Sequence, residues 1–200
     1  MNTLYTIGHS NHAMERFCAL LEMHKVACVA DVRSSPYSQW VPHFSKAPLE
    51  KTLNAAGFQY VFLGRHLGAR REEESCYIDG QAQYANIAKL PLFREGLDRV
   101  LAESQRHNLA LLCSEADPVT CHRAILICRE LLRLNPALPI SHILNDGTVE
   151  THDAALQRLI TAHNLNPELF GQLNTPEGIV ERAYDLQSER IAFRKAPLKT

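Results

Sequence analysis

Residues 109–126 read LALLCSEADPVTCHRAIL. The run LALLC is apolar with no polar alternation, which fits a strand covered on both faces. Beyond a polar loop, Ala124, Ile125, Cys128, Leu131 and Leu132 return at helical spacing. A change from a short apolar run to a period of 3.6 is the pattern of a strand, a turn and a helix that packs back on the sheet. The whole stretch reads as one unit of a parallel α/β fold.

The same pattern recurs on either side. Candidate strands are LYTIG (4–8), VACVADV (26–32), FQYVFLG (58–64) and PISHIL (139–144). Between them, Phe17, Leu20, Leu21 and His24 keep helical spacing, as do Leu49, Leu53 and Ala56, with Gly57 placed to end that helix. Pro91 opens a helix facing the sheet through Phe93, Leu97, Val100 and Leu101, and Ala155, Leu156, Leu159 and Ile160 follow the NDG turn at 145–147. The expectation is a single mostly parallel sheet of about five strands with helices on both faces, over residues 1–163. Residues 164–200 are expected to form a helical appendage ending in a mobile basic tail, RKAPLKT. The stretch from Gly64 to Gln83 lacks clean periodicity and reads as a surface excursion of the kind that serves binding.

Composition limits the function classes. The formal net charge is −1 over 200 residues, so the overall field supports neither a nucleic-acid nor a membrane partner. An anionic ligand would have to be captured locally. Six cysteines stand at 18, 28, 76, 113, 121 and 128, but the N-terminus MNTLYTIGHS has no signal-peptide pattern. Reduced thiols in the cytoplasm are therefore expected. No apolar stretch reaches the roughly 18 residues of a membrane span. Nothing in the sequence fixes an oligomeric state.

In open α/β sheets, ligands bind beyond the carboxyl ends of the strands. Three polar groupings fall there: Gly8, His9, Ser10 and Asn11; Asp31, Arg33, Ser34, Ser35 and Pro36; and Cys113, Glu115, Cys121, His122 and Arg123. Asp117 and Pro118 form a helix-opening pair, which would put Cys121 about one turn into the helix, near its positive end. His122 and Arg123 would then form, together with Arg33, a small cationic cup for a phosphate or carboxylate. The resulting expectation is an enzyme acting on an anionic small molecule or nucleotide. Candidate catalytic residues are His9 and His122 as acid or base, with Asp31 and Glu115 orienting them. Candidate substrate-binding residues are Ser10, Arg33, Ser35, Cys113, Cys121 and Arg123.

Other readings compete with this one. Cysteines are among the most buried residues, and Arg123 could pair structurally with Glu115 or Asp31. Cys113, Cys121 and His122 are metal-ligand types that Glu115 or His9 could supplement. The spacing C-x7-C-H, however, lacks the tight pairs of structural zinc motifs, so neither a metal nor a cofactor is expected. A thiol- or metal-dependent redox protein using Cys113 and Cys121, and a nucleotide or nucleic-acid binding module without turnover, remain open. No GxGxxG or GKS/GKT phosphate loop is present.

Several motifs also carry a family resemblance. TIGHSN (6–11), DVRSSPYS (31–38), LG (67–68), LLCSE (111–115), CHR (121–123), HIL with DG (142–147) and AYDLQSERIAF near the C-terminus resemble the bacterial family catalogued as domain of unknown function 488. The resemblance implies a cytosolic α/β domain whose own polar motifs are carried here by His9, Ser10, Asp31, Arg33, Cys113, Glu115, Cys121, His122 and Arg123. It implies no particular activity.

Overall fold

A computed structural model describes residues 2–165 and 175–196 of the chain. In chain order the elements are β1 (Leu4–Gly8), α1 (Met14–Met23), β2 (Cys28–Asp31), α2 (Lys46–Ala55), β3 (Gln59–Phe62), the single turn α3 (Gly64–Leu67), β4 (Tyr77–Ile78), β5 (Gln81–Ala82), α4 (Tyr84–Ile87), α5 (Pro91–Ser104) and β6 (Leu109–Cys113). After β6, π-helical turns over Arg123–Cys128 run into α6 (Arg129–Leu134), followed by β7 (Ile140–Ile143), β8 (Val149–Thr151), α7 (His152–Ala162) and α8 (Pro176–Ile191). All five expected strands are present.

The main sheet has the order β3-β2-β6-β1-β7-β8. Its pairs are parallel except β7 with β8, which are antiparallel. The antiparallel β8 is a sixth strand beside the five expected from the sequence. The NDG turn closes a β7–β8 hairpin, with Gly147 at φ +97°, where a turn into a helix had been expected. Three residues are too few to show alternation, so β8 had no periodic signature. The 64–83 excursion likewise contains α3 and the β4–β5 hairpin, a separate two-stranded sheet.

Alternation along the central strands divides the core. Ile7, Val29, Ala110 and Leu112 face α1 and α2, where Phe17, Leu20, Leu21, Leu49 and Leu53 are buried. Leu4, Ala30, Leu109, Leu111 and Cys113 face the opposite layer, with Phe93 and Val100 of α5, Leu131 of α6, Leu159 of α7 and Ala183 of α8. Each such leucine or phenylalanine contributes roughly 1.5–3 kcal/mol on burial. Cys113 therefore ends β6 on the same side as Leu111, pointing at the layer that holds α6 and α8.

Gly57 ends α2 at φ +87°, the left-handed conformation its position suggested. The expected boundary near residue 163 is followed by α8, which packs on α7 and on the π-helical turns. The last residues of RKAPLKT, 197–200, and residues 166–174 lie outside the described residues.

Candidate functional site

Because β6 lies between β1 and β2, the three polar groupings leave the sheet on one edge. Gly8 is in register with Cys113, and Asp31 with Leu112. The loop after β1 is tied to the loop after β6, since the His9 amide donates to the Cys113 carbonyl at 2.9 Å and the Ser10 amide to the Ser114 carbonyl at 2.8 Å. His9, Arg33 and Glu115 thus emerge together, as parallel strands require.

The helix start differs from the expected one. Asp117 does act as a cap, its side chain accepting from the Val119 amide at 3.1 Å, but it caps only a short 3-10 turn, Pro118–Thr120. Cys121 follows in extended conformation (φ −132°, ψ 144°), and its carbonyl accepts from the Ala124 and Ile125 amides at 3.2 Å each. Cys121 therefore sits ahead of the next helical turns, not one turn into a helix. The extended residue swings its thiol toward the end of β6.

Four side chains meet there. The Glu115 Oε2 atom lies 3.1 Å from Cys113 Sγ and 3.0 Å from Cys121 Sγ. His122 Nδ1 lies 3.6 Å from Cys113 Sγ and 3.8 Å from Cys121 Sγ. The other ring nitrogen, His122 Nε2, donates to the Val32 carbonyl at 3.2 Å, which turns Nδ1 to the sulfurs. Both thiols are buried, at 4% and 2% exposure. Hydrogen bonding to Cys121, reinforced by burial, pushes the Cys113 thiol up. Burial opposes ionisation of Cys121, yet hydrogen bonding with Cys113 and the charges of Arg123 and His122 hold its thiol well below the usual range. Burial and the neighbouring Cys121 raise Glu115.

The two arginines of the expected cup part company. Arg33 forms a buried fork on Asp31, with Nε to Oδ1 at 2.8 Å and Nη2 to Oδ2 at 2.6 Å. Tyr60 donates to Asp31 Oδ2 at 2.8 Å. Asp31 is thereby committed to holding Arg33, whose Nη1 makes no hydrogen bond among the described residues. Arg123 is fully buried and turns away: Nη1 donates to the Glu115 carbonyl at 2.5 Å, Nη2 to the Ala116 carbonyl at 3.0 Å, and Nε to Thr6 Oγ1 at 3.1 Å. Of the expected cup, Arg33 and His122 line one cavity and Arg123 does not. Arg123 contacts the Glu115 backbone, and the Glu115 carboxylate contacts thiols, so the expected pairing of Glu115 with an arginine is absent among the described residues.

A cavity of about 430 Å³ opens over this cluster. Arg33, Ser35, Cys113, Glu115, Cys121 and His122 line it, together with Arg70, Thr120, Tyr84, Ile191 and Phe193. His9, Ser10, Asp31 and Arg123 lie outside its lining. His9 is instead stacked on Phe44 with ring centroids 4.4 Å apart, its Nδ1 donating to the Ser10 carbonyl at 2.9 Å. Ser10 adopts φ +46° at the turn beside it.

Arg70, Thr120, Tyr84 and Phe193 join the cavity wall without standing in any of the three polar groupings. Arg70 belongs to the excursion marked as a binding loop. Its amide donates to Ser34 Oγ at 2.9 Å, and its guanidinium carbon lies 4.8 Å from the centre of the Phe193 ring. Phe193 belongs to the AYDLQSERIAF motif, which gave a family signal without a position in space.

Behind Arg123 runs a buried polar chain. Thr6 Oγ1 lies 2.8 Å from His142 Nδ1, His142 Nε2 lies 3.0 Å from His152 Nδ1, and His152 Nε2 lies 2.6 Å from the Tyr184 hydroxyl. The chain is complete with both rings neutral, each donating through Nε2. Burial pushes His152 down to about 4, and His142 down to about 2 with the help of His152 and Arg123. Burial, with the Arg33 charge adding to it, holds His9 at about 4.

An acid-side stability loss follows. Well above pH 6.5 these rings are neutral in folded and unfolded chains alike, so they cause no pH dependence there. As the pH falls toward 4 the unfolded chain binds protons first, and stability is lost by about 2 kcal/mol per ring at pH 5. Urea denaturation at pH 7 and pH 5 should record this difference. Equal midpoints would show that the three histidines are not held neutral by the fold.

Comparisons with curated proteins and with solved structures gave no match. The family model described as "Domain of unknown function DUF488" matches residues 13–129, more than half of the chain. That span contains DVRSSPYS and the stretch from LLCSE to CHR, and so the walls of the cavity that carry Arg33, Arg70, Cys113, Glu115, Cys121 and His122. The chain belongs to this DUF488 family.

Proposed function

We propose that the protein is an enzyme acting on a phosphorylated or otherwise anionic small molecule, a nucleotide being one such ligand, in the cavity at the carboxyl edge of the sheet. One observation carries this reading: a single cavity has Arg33 and Arg70 in its wall together with Cys113, Glu115, Cys121 and His122. Guanidinium groups supply charge-assisted bonds to anionic oxygens. Thiol, imidazole and carboxyl groups in mutual contact supply what nucleophilic and acid–base chemistry needs. A site that only bound its ligand would need the first set and not the second. The volume lies in the range of pockets for small ligands.

Arg70 is the informative position to change. Removing Arg33 would strand the buried Asp31 carboxylate and confound folding with binding. Arg70 is exposed, so Arg70→Ala should leave stability nearly unchanged while weakening binding of inorganic phosphate or nucleoside monophosphates about tenfold, roughly 1.4 kcal/mol. Isothermal titration calorimetry on the two proteins gives the comparison. Phosphates that fail to bind, or that bind the variant equally well, would sink the anion reading.

The contact of both thiols with one carboxylate oxygen favours a second reading, a redox protein cycling a Cys113–Cys121 disulfide. A disulfide that forms under mild oxidant and reverses with reductant, in a protein that binds no phosphate, would transfer the assignment to it.

A further inference from the structure

We propose that Cys113, Cys121 and His122 bind a divalent metal ion of zinc's chemistry, with a fourth coordination position open to the cavity and Glu115 beside it.

The ligand atoms of these three residues lie within 4.8 Å of one another. Around a tetrahedral zinc ion, bonds of about 2.3 Å to sulfur and 2.0–2.1 Å to nitrogen place sulfur and nitrogen roughly 3.6 Å apart. The two sulfur–nitrogen distances here are 3.6 and 3.8 Å. The donors are already spaced for an ion to enter between them.

The surroundings also fit. His122 Nε2 donates to the Val32 carbonyl, the kind of outer contact that orients a metal-binding histidine and leaves Nδ1 as the ligand atom. Cys113 is fixed at the end of a central strand, and Cys121 and His122 at the start of helical turns, so none of the three depends on a loose loop. Two thiolates and an imidazole select a borderline or soft ion, zinc above magnesium or calcium. Such an ion with two thiolates is neutral, so the site adds no net charge to the interior.

Three protein ligands and an open position form the arrangement of catalytic sites, whereas structural sites close all four. Cys113, Cys121 and His122 all line the cavity, so the open position faces the space assigned to the substrate. Glu115 reaches both sulfurs but falls outside the set of three; once both sulfurs are thiolates its carboxyl group keeps these contacts only by carrying the proton and donating to sulfur. The linear spacing C-x7-C-H concealed this arrangement, because its first ligand comes from β6 and the other two from beyond a capped turn. Only the role of the open position rests on the enzyme reading of the cavity; the ion site stands on its own geometry.

The test uses the full chain, stripped of metal with a chelator and titrated with cobalt(II) and zinc(II). The expected result is one cobalt per chain, with intense visible bands of a tetrahedral site and thiolate-to-cobalt charge-transfer absorption, displaced by zinc. Cys113→Ser, Cys121→Ser and His122→Ala should each weaken zinc binding at least about 100-fold, beyond the 10- to 100-fold that supporting contacts give. Cys18→Ser, at a half-buried thiol on α1, should bind with the unaltered spectrum. Wild-type protein that takes up no cobalt, or shows a weak octahedral spectrum without charge transfer, would overturn the site whatever the variants' folding. Equal affinity in the ligand variants would overturn it as well. Phosphate titration of the metal-free chain and of Arg70→Ala reports on the substrate reading separately, so either proposal can fail while the other stands.

Discussion

Replacing Arg123 by methionine is expected to destabilise the protein by about 3 kcal/mol or more and to loosen the loop that carries Glu115. The guanidinium is fully buried and donates to the carbonyls of Glu115 and Ala116 and to the Thr6 hydroxyl. Each buried acceptor that loses its donor costs roughly 1–3 kcal/mol. Against this, methionine removes a cation that is costly to bury and restores most of the lost apolar contact. Two carbonyls and a hydroxyl lose their donors together, and Thr6 is fully buried, so the acceptors outweigh the relieved desolvation. Chemical denaturation of the two proteins measures the difference. A variant of unchanged stability would mean that the guanidinium's burial cost cancels its three bonds. Arg123→Lys should recover only part of the loss, since a single ammonium cannot reach all three acceptors with the geometry of a fork.

An alanine at Gly8 should be the more damaging change, above about 4 kcal/mol and sufficient to abolish soluble expression. A β-carbon there would lie 1.8 Å from the Glu115 carbonyl oxygen and 2.6 Å from its carbon. Both are backbone atoms, so no side chain can rotate aside. The β1 strand ends against the loop after β6, and relief of the clash requires separating the two strands that hold the site. Gly57→Ala makes the contrast. A β-carbon at Gly57 meets nothing within 4 Å, and only its φ of +87° opposes the change, worth about 1 kcal/mol. Thermal denaturation of the two variants separates close approach from backbone conformation as the reason for a glycine. Comparable stabilities would show that the β1–β6 contact is looser than the 1.8 Å approach implies.

Both effects converge on residues 114–116, a loop held by a glycine that admits it and an arginine that bonds it. The same loop presents Glu115 to the thiols. Its rigidity therefore links the stability of the fold to the geometry of the cluster, and the metal and anion titrations should both suffer in Arg123→Met even though Arg123 touches neither ligand.

The sequence by itself determined the five parallel strands, the helices between them and the edge on which His9, Arg33 and Glu115 emerge. Those features follow from apolar runs and periodicities confined to ten or fifteen residues, and from the rule that parallel strands point one way. It did not determine where the side chains at that edge turn. Arg33 and Arg123 are equivalent as residue types, yet one forks onto Asp31 and borders the cavity while the other is buried under the loop and bonds its carbonyls. Cys113 and Cys121 were separable thiols in the sequence and became neighbours because the turn after Pro118 leaves Cys121 extended. Arg70 and Phe193, 123 positions apart, meet at the cavity only through the packing of the 64–83 excursion and the residues after α8 against the sheet. Only the tertiary structure decided these placements, because a buried donor takes whichever acceptors the folded chain brings within about 3 Å, and those acceptors come from segments with no sequence relation to it.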